Sequence, residues 1–260
     1  INFLPPLSKQ HIYELASIYP YATQPNGEMG IQSSFYYMFK RKSKLGGKYG
    51  TRLTLDYSRI HDIDRTASSD TTSVGEAGTY GYNSDFFGIN DFTFFEDISF
   101  GIDKKLNRDW KIHLRYSNMT YDPIIKGDQG EDKVHANIAV ADIIYSLKAR
   151  QSLRMELQYL FTDQKDLHND DYSAGDWAMI LLEYNIKDYF FAVKDLYNYR
   201  NPSPGIADIH YFKVSAGLNK GTNRIAVSYG RQREGINCVG GVCRPEPAAN
   251  GFKVTITSSF

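Results

Sequence analysis

Strict alternation is the feature that most limits this chain. Between Leu153 and Thr162, the residues Leu153, Met155, Leu157, Tyr159 and Phe161 oppose Arg154, Glu156, Gln158 and Thr162. Successive side chains of an extended strand point to opposite faces, so a period of two gives one apolar and one polar face. A helix would scatter the same residues around its circumference. The pattern recurs. Leu53, Leu55 and Tyr57 oppose Arg52, Thr54, Asp56 and Ser58. Trp110, Ile112, Leu114 and Tyr116 oppose Lys111, His113, Arg115 and Ser117. Ile225, Val227 and Tyr229 oppose Arg224, Ala226 and Ser228. In the last ten residues, Phe252, Val254, Ile256 and Phe260 oppose Lys253, Thr255, Thr257 and Ser259.

Further strands are expected at Ile31–Phe39, Phe94–Lys104, Val134–Leu147, Ala178–Asn185, Tyr189–Tyr197 and Phe212–Leu218. The parity of Val134–Leu147 changes near Ala141, which suggests a bulge there. His11–Tyr19 is a possible extra strand, although Glu14 and Ser17 spoil both of its faces. The count is therefore 11 or 12. Residues 1–9, with Pro5-Pro6, read as an irregular lead-in, and residues 10–260 as the strand-bearing domain.

The connections sort by side. Tight turns at Leu106–Asp109, Ala149–Arg150, Lys187–Asp188 and Lys220–Thr222 alternate with long polar loops, such as 61–91, 163–176 and 231–250. A soluble two-sheet sandwich also alternates its side chains, but nothing in its Greek-key connections sorts loops by side. Transmembrane barrels do, with short turns at one rim and long loops at the other. Tyr57, Tyr116, Phe161, Tyr197 and Tyr229, with Trp177, Phe212 and Phe252, fall where strands would cross one headgroup level. Trp110 and Phe260 fall near the opposite rim.

Composition agrees with this reading. The chain holds 20 Tyr and 15 Phe, yet its mean hydropathy is negative. A helical span needs about 20 consecutive apolar residues, and the longest comparable run is Trp177–Leu182. A barrel averages a greasy wall with a polar lumen. The formal net charge is zero, so the chain as a whole carries no nucleic-acid footprint. The fold class expected is all-β, an antiparallel transmembrane β-barrel of the outer-membrane type. With 12 strands these residues could close the barrel on themselves, whereas an odd count would leave a bare edge in hydrocarbon and require strands from elsewhere.

The terminal set Phe252, Val254, Ile256 and Phe260 resembles the C-terminal insertion signal of outer-membrane barrels. Phe3–Leu7, Tyr19–Glu28, Gly46–Thr51 and Tyr229–Phe260 resemble an uncharacterised outer-membrane β-barrel protein family of the Bacteroidota, and the chain is similar to its C-terminal part. The resemblance implies fold and outer-membrane location only. The partners expected are outer-membrane lipid and lipopolysaccharide, the barrel-insertion machinery during biogenesis, and proteins of an envelope complex.

Parity assigns Arg52, Asp56, Lys111, Arg115, Arg154, Glu156, Glu183, Lys213, Arg224 and Lys253 to the lumen. Their balance is mildly basic. This set reads as a salt-bridge network filling a narrow barrel, ahead of an anion-favouring pore, and Gln158→Arg is expected to be tolerated because Gln158 faces the lumen. Cys238 and Cys243 are expected to form a disulfide across Val239-Gly240-Gly241-Val242. His113, His135 and His210 lie on different strands, and His61 and His168 lie in or near polar loops. No catalytic spacing stands out. The acidic run Asp163–Asp171 lacks the spacing of a calcium loop, so no metal or cofactor is assigned. The function expected is a non-enzymatic membrane-embedded subunit of a larger cell-envelope complex, for secretion, assembly or nutrient uptake. The alternatives are a porin-like channel and, more distantly, an outer-membrane hydrolase.

Overall fold

The computed structural model describes residues 7–24, 27–76, 81–127, 132–164, 173–203, 206 and 208–258. Eleven strands form one antiparallel sheet, and all eleven main-strand expectations are met. They are β1 (Met29–Phe39), β2 (Thr51–Ile63), β3 (Ile89–Lys105), β4 (Trp110–Tyr121), β5 (Val134–Lys148), β6 (Gln151–Thr162), β7 (Asp176–Ile186), β8 (Tyr189–Tyr199), β9 (Ile209–Lys220) and β10 (Asn223–Gln232), then β13 (Ala249–Thr257). Between β10 and β13, where residues 231–250 were expected to be loop, β11 (Gly235–Val239) and β12 (Val242–Glu246) make a separate hairpin. No α-helix occurs among the described residues.

The strands follow one another in space, so each pairs with its sequence neighbour and β13 with β10. The two-residue turns at 149–150, 187–188 and 221–222 each contain a left-handed residue: Arg150 (φ 58), Lys187 (φ 54) and Gly221 (φ 60). Such residues match the right-handed twist of the flanking strands. The sorting of connections holds with one exception. The β1–β2 connection, residues 40–50, lies at the tight-turn end but is longer than the other turns there.

The period-two pattern becomes a difference in burial. On one face Leu55, Phe100, Leu114, Leu157, Ile180 and Val193 are exposed. On the other, Asp56, Asp97, Ser99, Ser117, Asp142, Glu156, Gln158, Glu183, Lys194 and Lys213 are buried. The cover over that second face comes mainly from residues 7–21. A single apolar cluster joins Leu15, Ala16, Ile18 and Tyr19 to inner residues of β2 through β9. Flat, those eight strands would be about 34 Å across at ~4.8 Å per spacing. The sheet instead curls around one short segment. It is not closed: among the described residues, β1 and β13 each pair on one side only.

Three expectations need correction. His11–Tyr19 is not a strand; it contains a 3-10 turn, Leu15–Ser17, in the concavity. The β5 irregularity lies at Ser146/Lys148, while Ala141 stays in register with Leu114 and Leu157. Trp177 faces inward and is fully buried, because it shares parity with Met179 and Leu181 and pairs with the buried Leu160. Phe260 lies outside the described residues. Phe252, Val254 and Ile256 are on the outward face, strongly exposed.

Candidate functional site

The concave face carries the chemistry. Its long-loop half is apolar, built from Ile60, Phe95, Met119, Ile138, Leu160, Trp177 and Leu196 around the Leu15–Tyr19 segment. Burying these groups removes apolar surface from water and fixes the segment against the sheet. Tyr19 packs on Tyr121 with ring centroids 5.4 Å apart.

Below that layer lies a charged belt, and the N-terminal segment crosses it residue by residue. Lys9 pairs with Asp56 of β2. His11 Nε2 is 2.7 Å from Asp97 Oδ2 of β3, and the Ser99 hydroxyl donates to the same carboxylate at 2.7 Å. Leu15 N–H donates to Gln158 Oε1 of β6 at 2.8 Å, and Gln158 donates to Glu156 at 2.5 Å. Arg154 donates to both oxygens of Asp142, at 2.9 and 3.1 Å, and also pairs with Glu156. Glu14 accepts from Lys194 Nζ of β8 at 2.6 Å. Both of those side chains are buried, so each charge is matched where water cannot reach it. Burial raises the Tyr13 phenol above its ordinary range, and the Asp142 and Glu156 carboxylates raise it further.

The β11–β12 hairpin covers the other flank. Cys238 and Cys243 sit opposite each other and are joined by a disulfide, as expected. Gly240 N–H donates to Glu183 Oε2 at 2.7 Å. Arg224 donates to the carbonyls of Val239 (2.8 Å) and Gly240 (3.2 Å), and its guanidinium lies over Phe190. Gly240 is left-handed (φ 62), and a Cβ there would come within 2.8 Å of both Phe190 and Arg224. Only glycine permits that approach. Asn237 accepts from Lys194 at 3.1 Å, so the hairpin and the N-terminal segment share one cation. Burial alone would raise the Glu246 carboxyl. The Gln232 amide, Lys213, Arg244 and Lys253 outweigh it and hold the group at about 2.

Of the residues assigned to the lumen by parity, Asp56, Glu156, Glu183 and Lys213 are buried under this cover. Arg115, Arg154, Arg224 and Lys253 are half-buried, and Arg52 and Lys111 are exposed near the tight-turn end. Arg115 reaches Asp103 at 2.7 Å. Lys253 reaches Glu246 at 3.3 Å. Gln158 is 3% exposed and bonded on both sides, so the expected tolerance of Gln158→Arg does not follow. The sequence reading missed His11, Glu14 and Asn237. One signal could have pointed to a covered face: Ile138, Leu160, Met179, Leu181 and Leu196 are apolar on the parity assigned to water.

Among the described residues, three histidine–carboxylate pairs stand apart from one another: His11–Asp97, His113–Asp103 and His210–Asp195. Among the described residues, Thr93 is hydroxyl-bonded to His61 and Thr120 to His135, outside these pairs. Among the described residues, no group of three or more His, Cys, Asp or Glu could hold a metal ion. A cavity of about 660 Å³ lies between the N-terminal segment and the hairpin, lined by His11, Ala16, Tyr19, Met119, Ile236 and Arg244 among others.

The chain belongs to a family of unknown function (DUF6029), whose family model matches residues 1–260. No curated protein matches it.

Proposed function

We propose that this chain is the wall of a bacterial outer-membrane β-barrel, and that it serves without catalysis as a membrane-embedded subunit of a larger cell-envelope complex. The observation that carries the reading is the inverted polarity of the sheet: apolar side chains exposed outside, charged ones buried inside. On β6 the outward apolar run from Leu153 to Phe161 spans about 27 Å of strand at ~3.4 Å per residue. At a tilt of ~40° this gives about 21 Å of height, near the ~25 Å apolar band of such barrels. Across ten strand spacings the face covers on the order of 1,000 Å², against about 300–600 Å² for the largest patch on a typical soluble monomer. No helix among the described residues is long and apolar enough to cross a membrane.

The filled concavity favours a scaffold over a pore. A porin needs a continuous wet path. Here residues 7–21 and the β11–β12 hairpin occupy the space along the charged belt. The long loops, gathered at one end, are the surface on which partners would dock. The test begins with native membranes washed in alkaline carbonate and dissolved in mild detergent. The protein should resist the wash, co-purify with other envelope proteins in fixed ratio, and give no steady conductance in a planar bilayer. Release by carbonate would defeat the membrane reading, and steady conductance would favour the porin.

A further inference from the structure

The two bare edges of the sheet point to what completes it. Ten successive antiparallel pairings separate β1 from β13. Ten is even, so the two edge strands run in the same direction. They cannot close on each other without a parallel pair, whereas bacterial single-chain barrels are antiparallel throughout with even strand numbers. A second copy in the same membrane orientation meets the same obstacle, because both of its edges also run that way. Only an odd number of intervening strands satisfies both edges. Those strands must ascend from the tight-turn end to the long-loop end wherever they touch β1 or β13.

The edges are built to accept them. β1 is 11 residues long and β13 is 9, the ~9–11 that a transmembrane strand needs. Tyr36 and Met38 lie on the inward parity of β1, yet they are 73% and 57% exposed. The corresponding residues of the central strands are covered. The position of the incoming chain supplies the last element. The Leu7 side chain lies against Gly30, the second residue of β1, at the long-loop end. An ascending strand alongside β1 would finish at that same end, next to Leu7.

Resting on the barrel reading above, we propose that the wall is completed by an odd number of amphipathic strands contributed by the polypeptide that leads into Leu7. The last of them lies antiparallel against β1, and the first lies against β13. Their outward side chains are apolar, in register with Phe35 and Val254, and unpaired N–H and C=O groups of both edges find partners in them. A bare edge in hydrocarbon would leave those groups unbonded.

The test uses the full polypeptide in its native membrane, with p-benzoylphenylalanine placed at Tyr36 or, separately, at Phe252. A third placement at Phe100, between Leu55 of β2 and Tyr116 of β4, is the positive control. After irradiation, the crosslinked peptides are identified by mass spectrometry. Both edge positions should crosslink to strands of the same polypeptide that precede Leu7. Crosslinks joining Tyr36 to β13, to a second copy or to a different protein would overturn the proposal. So would polypeptide crosslinks at Phe100 with none at either edge. Retention after carbonate washing separates the two claims. A retained protein with the wrong crosslinks loses only this inference, while a released protein loses the membrane reading itself.

Discussion

Leu157 and Gln158 are neighbours on β6 and live in opposite surroundings. Leu157 is 39% exposed on the outer face, and Gln158 is 3% exposed beneath the N-terminal segment. The same contrast runs from β2 to β10. In a water-soluble sheet the greasy face would be covered and the charged face wet. Here the cover is on the charged face, where water has been replaced by other protein groups. The difference teaches that the buried polar residues inside meet protein partners in place of water. They are a set of matched partners that hold a chain segment and a hairpin, and their pairing is what makes their burial tolerable.

The largest expected effect is on the covered face. Lys194→Met leaves Glu14 buried without its cation, and should cost about 3–5 kcal/mol in denaturant unfolding of the detergent-folded protein. Arg150→Met breaks the Arg150–Asp188 pair at an exposed turn and should cost about 0–1 kcal/mol. Equal losses would mean that the inner belt is wet after all. The next effect probes the outer face. Leu157→Arg should cost about 2–4 kcal/mol for folding into lipid if the residue lies at midplane. If the outer face met water, an exposed substitution of this kind would fall within about 0.5 kcal/mol.

Two smaller effects concern the hairpin. Replacing Cys238 and Cys243 together with Ser opens a short loop and should cost about 2 kcal/mol by loop-closure entropy. Hydrogen exchange should quicken in 235–246 before the sheet is affected. A loss spread evenly over β6–β8 would mean that the hairpin is not a separate covering element. The last effect depends on pH. The Glu246 carboxyl is held at about 2 in the fold, below its usual value near 4.5. Its stabilising contribution is therefore complete above the unfolded value and is lost as pH falls toward 2. Protection of the hairpin amides, corrected for intrinsic exchange, should decline over that window, and Glu246→Gln should flatten the decline.

The strands were legible because alternation is local: Trp110–Tyr116 or Leu153–Phe161 declare their faces without reference to anything distant. Turn chemistry was legible for the same reason, and the cysteines were close enough in sequence to pair. The interior was not legible, because its partners lie far apart along the chain. Glu14 meets Lys194 and Leu15 meets Gln158, and no pattern within residues 9–19 announces either contact. Trp177 was misplaced because its nearness to a strand end suggested a headgroup position. Its parity with Met179 and Leu181 already pointed inward. The β11–β12 hairpin was hidden by Gly240, Gly241 and Pro245, which read as loop until Glu183 and Arg224 are seen to hold it.

The central claim is that the exposed apolar face meets lipid while the charged face stays covered. Spin labels placed one at a time at Leu157, Ile180 and Val214, and at the inward Ser117 and Ser215, measure this directly in the reconstituted protein. Collision with oxygen, which concentrates in the bilayer, is compared with collision with a water-soluble nickel chelate. The account predicts high oxygen and low nickel accessibility at the three outward positions, and low accessibility to both at the two inward ones. High nickel accessibility at Leu157, Ile180 and Val214 would contradict it.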